Sequence, residues 1–371
     1  MPAERIVSAD SHVIEPADVW TARIERRFAD RAPHVVNEFN GKPGDFFVAE
    51  GMQPLAIAAF AVAGVNPKEF KEKMREGYAN VRPGGWDPAQ RIKDQEVDGV
   101  SAEVIYPSFG MRLFQLDDGE LREACFRAYN DWLADYCSYD RKRLAGIATV
   151  ALDDPERGTA ELTRIAEKGL KGAMIWGEAP AEQPYSDPVY DRFWAVAQDA
   201  GVPISLHVVT ERRSTPAPDP KKVSIMKHYV TMHHGIEKSL VDLILGGVLE
   251  RFPQLKIVSV ENDIGWIPHL LQRADHAYDR YRFLERDGAV PHTPSYYFRR
   301  QVYATFQDDR VGIVTRELVG VGNLMWASDY PHSDSTWPNS REVIARDFAG
   351  VAEADRRRIT ADNAAELYGV G

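Results

Sequence analysis

Eight short apolar runs, each followed by helical sequence, predict that this chain folds as an α/β protein of the (β/α)8 TIM-barrel class. The runs do not alternate between apolar and polar residues, which is typical of parallel strands buried on both faces. No GxGxxG sequence follows any run, and this argues against the competing doubly wound sheet. With 371 residues, 44% of them hydrophobic, the chain is long enough for one large domain over residues 1–371.

The predicted elements alternate along the chain after residue 86. The first strand is expected over residues 5–12, and the other seven over 101–106, 144–152, 172–176, 204–208, 255–260, 302–306 and 324–327. Helical patterns cover residues 118–139, 155–168, 188–200, 235–251, 264–284, 310–318, 340–348 and 355–368.

Two long stretches interrupt this alternation, and both follow a predicted strand. Residues 15–86 follow strand one and are rich in Pro, Gly and aromatic residues; residues 209–233 follow strand five and are polar and Pro-rich. Loops at the carboxyl ends of barrel strands build the active site. We therefore expect both insertions to form a lid or part of a substrate pocket.

Composition limits the classes of partner. The net charge of −11 argues against a nucleic-acid or membrane-surface binder, because both would require a basic face. Cys125 and Cys137 are too few for a disulfide framework, and the N-terminal residues show no signal-peptide pattern. The longest apolar stretch, near residues 55–65, is shorter than a membrane span. The sequence predicts a cytoplasmic protein with a small-molecule substrate.

Side chains that bind metals stand at the ends of four predicted strands. Asp10 and His12 end the first strand and share one of its faces, because the strand period is two. His207 ends the fifth strand, Glu261 the sixth and Asp329 the eighth. Since barrel closure brings strand ends around one axis, we expect these five residues to bind divalent metal at the mouth. Imidazole and carboxylate together suit Zn, Mn or Fe, and the pattern leaves open one ion or two.

Candidates for catalytic proton transfer are Asp329, His332, which follows it by three residues, and His234, which begins a predicted helix. Each histidine could instead have a structural role. The residues at the ends of the second and fourth strands that are expected to face the same mouth are Glu103, Tyr106, Trp176 and Glu178.

Several segments resemble the amidohydrolase superfamily. They are Ser8-Ala9-Asp10-Ser11-His12, Leu206-His207, Glu261-Asn262-Asp263-Ile264-Gly265-Trp266-Ile267-Pro268, Ser328-Asp329-Tyr330-Pro331-His332 and Asn363-Ala364-Ala365-Glu366-Leu367-Tyr368-Gly369. The chain looks most like the amidohydrolase-2 branch, which includes aminocarboxymuconate-semialdehyde decarboxylase and the aromatic-acid decarboxylases. This resemblance implies a barrel with a divalent metal, and a homodimer, since such relatives are often dimers.

The resemblance also assigns positions. The family's His-x-His pair corresponds to Asp10 and His12, its fifth-strand histidine to His207, and its eighth-strand aspartate to Asp329. Asp10 replaces the first histidine of the pair. Glu261 stands where the family usually has a sixth-strand histidine, which helps with proton transfer in the decarboxylases.

Three reactions fit these residues, and the resemblance favours hydrolysis first. In that reaction a metal-activated water attacks a bulky, mostly apolar ester, amide, lactone or thioester, and Asp329 takes the proton. The alternatives are a nonheme diiron oxygenase (a hydroxylase) and a metal-dependent, non-oxidative decarboxylase of an aromatic or unsaturated acid. A binding protein without catalysis fits least well, because the assembled ligands would then have no use.

Overall fold

The computed structural model of the protein describes residues 4–73, 76–210, 224–285 and 289–371. It confirms the predicted barrel class: eight parallel strands follow one another around a sheet in the order β1-β5-β6-β7-β8-β9-β10-β11. The strands are β1 (Val7–His12), β2 (His34–Phe39), β3 (Lys42–Val48), β4 (Leu55–Ala56), β5 (Ala102–Tyr106), β6 (Leu144–Thr149), β7 (Gly172–Ile175), β8 (Ile204–His207), β9 (Ile257–Val260), β10 (Val302–Phe306) and β11 (Leu324–Trp326).

The first and last barrel strands meet at the mouth. The Asp329 N–H donates to the Asp10 carbonyl at 3.0 Å, and the His12 N–H donates to the Tyr330 carbonyl at 2.6 Å. These bonds bring the carboxyl end of β1 against the segment that follows β11. The residues predicted to bind metal from the two ends of the chain therefore lie beside each other.

Helices surround the barrel and match the predicted positions to within a few residues at most ends. They are α1 (Phe70–Lys73), α2 (Pro88–Asp98), α3 (Phe109–Arg112), α4 (Gly119–Cys137), α5 (Pro155–Glu167), α6 (Asp191–Asp199), α7 (Ile225–Thr231), α8 (His234–Leu245), α9 (Val248–Arg251), α10 (Ile267–Tyr281), α11 (Pro294–Gln301), α12 (Arg310–Val319), α13 (Ser340–Asp347), α14 (Glu353–Arg357) and α15 (Asn363–Tyr368). Asp87, Asp118 and Asp154 cap α2, α4 and α5 by accepting backbone N–H bonds, as expected of a short acidic side chain at a helix start.

Shorter turns complete the fold. One π turn, Arg358–Asp362, joins α14 to α15. The 3-10 turns are Arg26–Arg31, Ile57–Phe60, Pro67–Glu69, Tyr78–Asn80, Pro83–Gly85, Leu113–Gln115, Pro188–Tyr190, Arg282–Leu284 and Val321–Asn323.

The insertion after β1 contains a small antiparallel sheet, β2-β3-β4, which the sequence did not predict. It packs inward through Phe47, which is 2% exposed and whose ring lies 5.2 Å from Trp20 and 5.1 Å from Phe109. The Ala63 N–H donates to the Pro331 carbonyl at 3.0 Å, so the insertion also contacts the loop after β11. The predicted insertion at 209–233 lies partly outside the described residues; its final part forms α7.

The barrel strands are buried along nearly their whole length, as predicted from their unbroken apolar sequence. Both cysteines are free and buried, and both belong to α4. Within the described ranges, no helix combines the length and the apolar character needed to cross a membrane.

Candidate metal centre

The five residues predicted to bind metal converge at the carboxyl ends of the barrel strands. The His12 Nε2 atom lies 3.3 Å from Asp10 Oδ1, 3.2 Å from Asp329 Oδ1 and 4.0 Å from Glu261 Oε2. The His207 Nε2 atom lies 3.7 Å from both Asp10 Oδ1 and Glu261 Oε2. Strand closure has thus brought together side chains that are up to about 320 positions apart in the sequence.

The backbone at this mouth is strained. Of the five non-glycine residues with positive φ in the described part of the chain, four lie one to three residues after the ends of barrel strands: Val209, Glu261, Asp263 and Asp329. Their φ values lie between 51° and 58°, a region that is unusual for such side chains and especially for β-branched valine. Strain of this kind persists only where surrounding contacts impose it, and it is concentrated at functional sites.

Six buried polar atoms in this cluster belong to side chains at ion-pair distance from one another or from His332, but none of the six makes a hydrogen bond of good geometry to the described residues. They are both carboxylate oxygens of Asp10, both of Asp329, and the Nε2 atoms of His12 and His207. All four side chains are essentially inaccessible to solvent. Buried polar groups are nearly always satisfied, so unsatisfied imidazole and carboxylate atoms that point at one another have the character of a cation's ligand set. The residues present fit a divalent metal.

The charges of the cluster favour the same conclusion. Burial would raise the pKa of Asp10, but contacts with His12 and His207 outweigh this and hold it well below its ordinary value. Burial would lower the pKa of His12, but contacts with Asp10 and Asp329 raise it well above its usual range. Burial, with repulsion from Asp329 and Asp10, raises the pKa of Glu261 well above its ordinary value. Three carboxyl groups packed together need positive charge, from protons or from a metal ion.

The two histidines of the cluster are oriented from behind by backbone carbonyls. His12 Nδ1 lies 2.8 Å from the Pro107 carbonyl, and His207 Nδ1 lies 3.0 Å from the Val208 carbonyl. A carbonyl only accepts, so each Nδ1 carries the proton and each Nε2 presents a lone pair to the centre of the cluster once a metal replaces its proton. This is the tautomer that metal binding requires.

His332, predicted as a candidate for proton transfer, joins the same site. Its Nδ1 atom lies 3.0 Å from Asp329 Oδ1, and its ring stacks on His12 with centroids 3.9 Å apart. The Ser108 hydroxyl donates to the Val13 carbonyl, so it accepts from His332 Nε2 at 2.8 Å. Sequence reasoning missed Ser108, because a serine after a strand carries no signal of its own.

His234, the other candidate, does not reach this cluster. It is exposed at the start of α8 and groups with His233 and Glu237. Its predicted role in proton transfer has no support from its position.

The predicted orientation of Glu103 is wrong. Glu103 and Tyr106 are three residues apart on one strand and therefore face opposite sides. Tyr106 lies under the cluster, with its ring 5.0 Å from that of His207. Glu103 instead pairs with the fully buried Arg91, at 2.6 Å, outside the barrel axis. Glu178 pairs with Lys238 at 2.8 Å and is not part of the metal cluster.

The fold and this site define a barrel whose mouth fits a divalent metal, and comparison with known proteins identifies the family. The family model described as amidohydrolase matches residues 19–370, and the chain belongs to this family. A decarboxylase of Emericella nidulans, orsB, is 33% identical over 200 residues, which are 52% of this chain and 58% of that protein. The gamma-resorcylate decarboxylase of Rhizobium sp. (strain MTP-10005) is 25% identical over 324 residues, 82% of this chain and 92% of the relative.

Solved structures share the fold over the whole chain. The amidohydrolase map2389c of Mycobacterium avium subsp. paratuberculosis K-10 superposes with a TM-score of 0.78 at 22% identity, and each chain is covered completely. A dihydroxybenzoic acid decarboxylase of Polaromonas sp. JS666, solved with bound manganese and the inhibitor 2-nitroresorcinol, gives a TM-score of 0.66 at 18% identity. That comparison covers 99% of this chain and 97% of the other.

Proposed function

We propose that this protein is a divalent-metal-dependent decarboxylase that removes the carboxyl group of an aromatic or unsaturated acid without oxidation. The observation that carries the metal dependence is the convergence at the barrel mouth of six buried polar atoms without well-formed hydrogen bonds. The relatives, which are named as decarboxylases, support the second of the two alternatives to hydrolysis. Hydrolysis of an ester, amide, lactone or thioester, favoured at first, has no comparable support.

Asp10, His12, His207 and Asp329 would hold the ion, with Glu261 beside it. Two imidazole nitrogens and several hard carboxylate oxygens suit Mn, Zn or Fe. When bound, the ion supplies a positive charge that attracts the carboxylate of the substrate and neutralises the acidic cluster.

Asp329 and His332 are placed to manage the proton that the reaction needs. Decarboxylation breaks one carbon–carbon bond, releases CO2 and leaves an electron pair on the carbon, which then takes one proton. The Asp329 carboxyl and His332 Nδ1 are 3.0 Å apart and can share that proton. Ser108 fixes the other ring nitrogen, so the His332 ring cannot turn away without losing this bond. The pair can therefore deliver a proton from a defined position.

Aromatic side chains border the proton-transfer pair. The Phe60 ring lies 5.8 Å from the His332 ring, edge on, and 5.1 Å from Phe109. Phe109 is fully buried, and Phe60 is partly exposed. This wall excludes water from one side of the site and suits a flat, mostly apolar ring.

The proposal is tested by substrate screening of the purified protein after loading with Mn2+, Zn2+ or Fe2+. Hydroxybenzoic and unsaturated acids would be compared with aryl esters and lactones, and acid loss and CO2 release would be measured. We expect release of CO2 with one metal-loaded form and none with His12→Ala. Turnover of the esters or lactones, with no acid decarboxylated, would overturn the proposal in favour of hydrolysis.

One observation favours a second candidate. Two overlapping groups, Asp10-His12-His207-Glu261 and His12-Glu261-Asp329-His332, each place their ligand atoms within 4.8 Å of one another. Two adjacent ligand sets with several carboxylates favour two ions, as in the diiron oxygenase alternative. Metal analysis by mass spectrometry separates the two: about two irons per chain, with oxygen consumption, would favour the oxygenase.

A further inference from the structure

Glu15 is a buried carboxyl group that neither the family resemblance nor the proposed reaction uses. It is 1% exposed and lies three residues after His12. Among the residues that the structure describes, no lysine or arginine pairs with it. A buried carboxylate without a cation is costly, so its contacts must compensate for the loss of water.

Both oxygens of Glu15 accept hydrogen bonds from one backbone segment, residues 107–110, which leads into the first turn of α3. Oε1 accepts the N–H of Gly110 at 2.8 Å, and Oε2 accepts the N–H of Phe109 at 3.1 Å. The Glu15 carbonyl in turn accepts the Tyr78 hydroxyl at 2.6 Å, which connects this point to the insertion after β1. Two backbone N–H groups that donate to one buried carboxyl group hold this segment against the end of β1, so Glu15 fixes its position.

The same segment, residues 107–110, orients two histidines of the candidate metal centre. The Pro107 carbonyl accepts from His12 Nδ1, and the next residue, Ser108, accepts from His332 Nε2. These two bonds set the direction of the opposite ring nitrogens, His12 Nε2 and His332 Nδ1, which face the cluster. Groups that orient metal ligands in this way typically account for 10–100-fold in metal affinity.

We infer that Glu15 is a positioning residue for the metal centre. Its two hydrogen bonds to Phe109 and Gly110, called the clamp below, hold segment 107–110 and thereby set the ring orientation of His12 and His332. Glu15 does not touch the ion or the substrate in this scheme. The inference rests on the metal site of the proposed function but is independent of which reaction the site catalyses.

The space around the clamp supports this assignment. A Cβ atom added at Gly110 would lie 3.1 Å from Glu15 Oε1 and 2.8 Å from the Pro107 Cβ atom. Gly110→Ala should therefore displace the clamp while leaving the carboxyl group in place. This gives a second, independent way to disturb the same contacts.

The test uses the full-length protein and measures Mn2+ affinity by calorimetry and the visible absorption spectrum of bound Co2+, which reports ligand geometry. We expect Glu15→Ala to weaken Mn2+ binding about 10–100-fold and to change the Co2+ spectrum. Glu15→Gln keeps one acceptor and should fall between wild type and alanine. Glu50→Gln, an exposed position in the same insertion that pairs with Arg31, serves as the control and should change neither reading.

Each outcome has a distinct meaning. Wild-type affinity and an unchanged spectrum in folded Glu15→Ala would overturn the positioning role and leave the proposed function intact. Failure of the wild-type protein itself to bind metal would instead overturn the proposed function. If Glu15→Ala does not fold, Gly110→Ala decides, because unchanged Mn2+ affinity and an unchanged Co2+ spectrum there would refute the clamp.

Discussion

Metal binding should increase the free energy of unfolding of the protein, and the size of this increase can be estimated from the centre and an assumed affinity. The polar atoms of the centre contact one another at 3.2–3.7 Å without well-formed hydrogen bonds, so the metal-free site carries a cost on the order of a few kcal/mol. We take a Kd of about 1 μM for Mn2+, which corresponds to a standard binding free energy of about −8 kcal/mol. At about 100 μM free Mn2+, this Kd predicts an increase of about 2.7 kcal/mol in the free energy of unfolding.

His12→Ala is the perturbation that tests this reasoning. His12 contributes one of the nitrogen atoms at the centre, 3.2 Å from Asp329 Oδ1 and 3.3 Å from Asp10 Oδ1. We expect its loss to weaken Mn2+ binding at least about 100-fold, since residues that only orient ligands already account for 10–100-fold. The stabilisation at about 100 μM Mn2+ should then fall to about 0.4 kcal/mol.

The assay is urea unfolding followed by fluorescence, with and without Mn2+, on protein first treated with a chelator. His276→Ala is the matched control, because His276 is exposed on α10, away from the strand ends. This control should retain the full metal-dependent stabilisation. An equal Mn2+ effect in wild type and His12→Ala, or no effect in wild type, would refute the assignment of this cluster as the metal centre.

Three further predictions concern single side chains. Asp329→Asn should lower turnover by about 10²–10⁴-fold, because the amide cannot share a proton with His332. Steady-state kinetics measures this, and an unchanged kcat would remove Asp329 from the proton path. Arg91→Met should lower the unfolding free energy by about 3–5 kcal/mol, because it leaves the Glu103 carboxylate buried without its cation. Arg192→Met removes an exposed ion pair and, as the control, should cost less than about 1 kcal/mol. Burial raises the pKa of Glu15 from an ordinary 4.5 to about 7. In metal-free protein the stabilisation from its proton is fully present below about pH 4.5, and about 3 kcal/mol of unfolding free energy is lost as the pH rises from there through 7. Urea titrations across this range should show that loss in wild type and not in Glu15→Gln; parallel pH profiles would contradict it.

The aromatic wall and the acidic cluster are the two features of the site on which the proposed decarboxylation depends. The site combines an apolar side, through Phe60 and Phe109, with a proton-sharing pair, Asp329 and His332. A substrate with a flat ring and one carboxylate matches both features.

The sequence by itself determined the barrel and the positions of the residues that we propose bind the metal. Strand period, unbroken apolar runs and alternation with helical patterns are local properties, and they suffice to predict eight buried parallel strands. Once the strands form a barrel, Asp10, His12, His207, Glu261 and Asp329 must approach one another, because each ends a strand at the same rim.

Only the tertiary structure decided which groups support that centre. The partners of His332, Glu103 and Glu15 lie 224, 12 and 95 positions away in sequence, and no local pattern marks them. The small sheet of the insertion likewise forms through packing of Phe47 against aromatic residues from other segments. Side-chain direction and non-local packing decide such contacts, and they are fixed only when the chain has closed around its core.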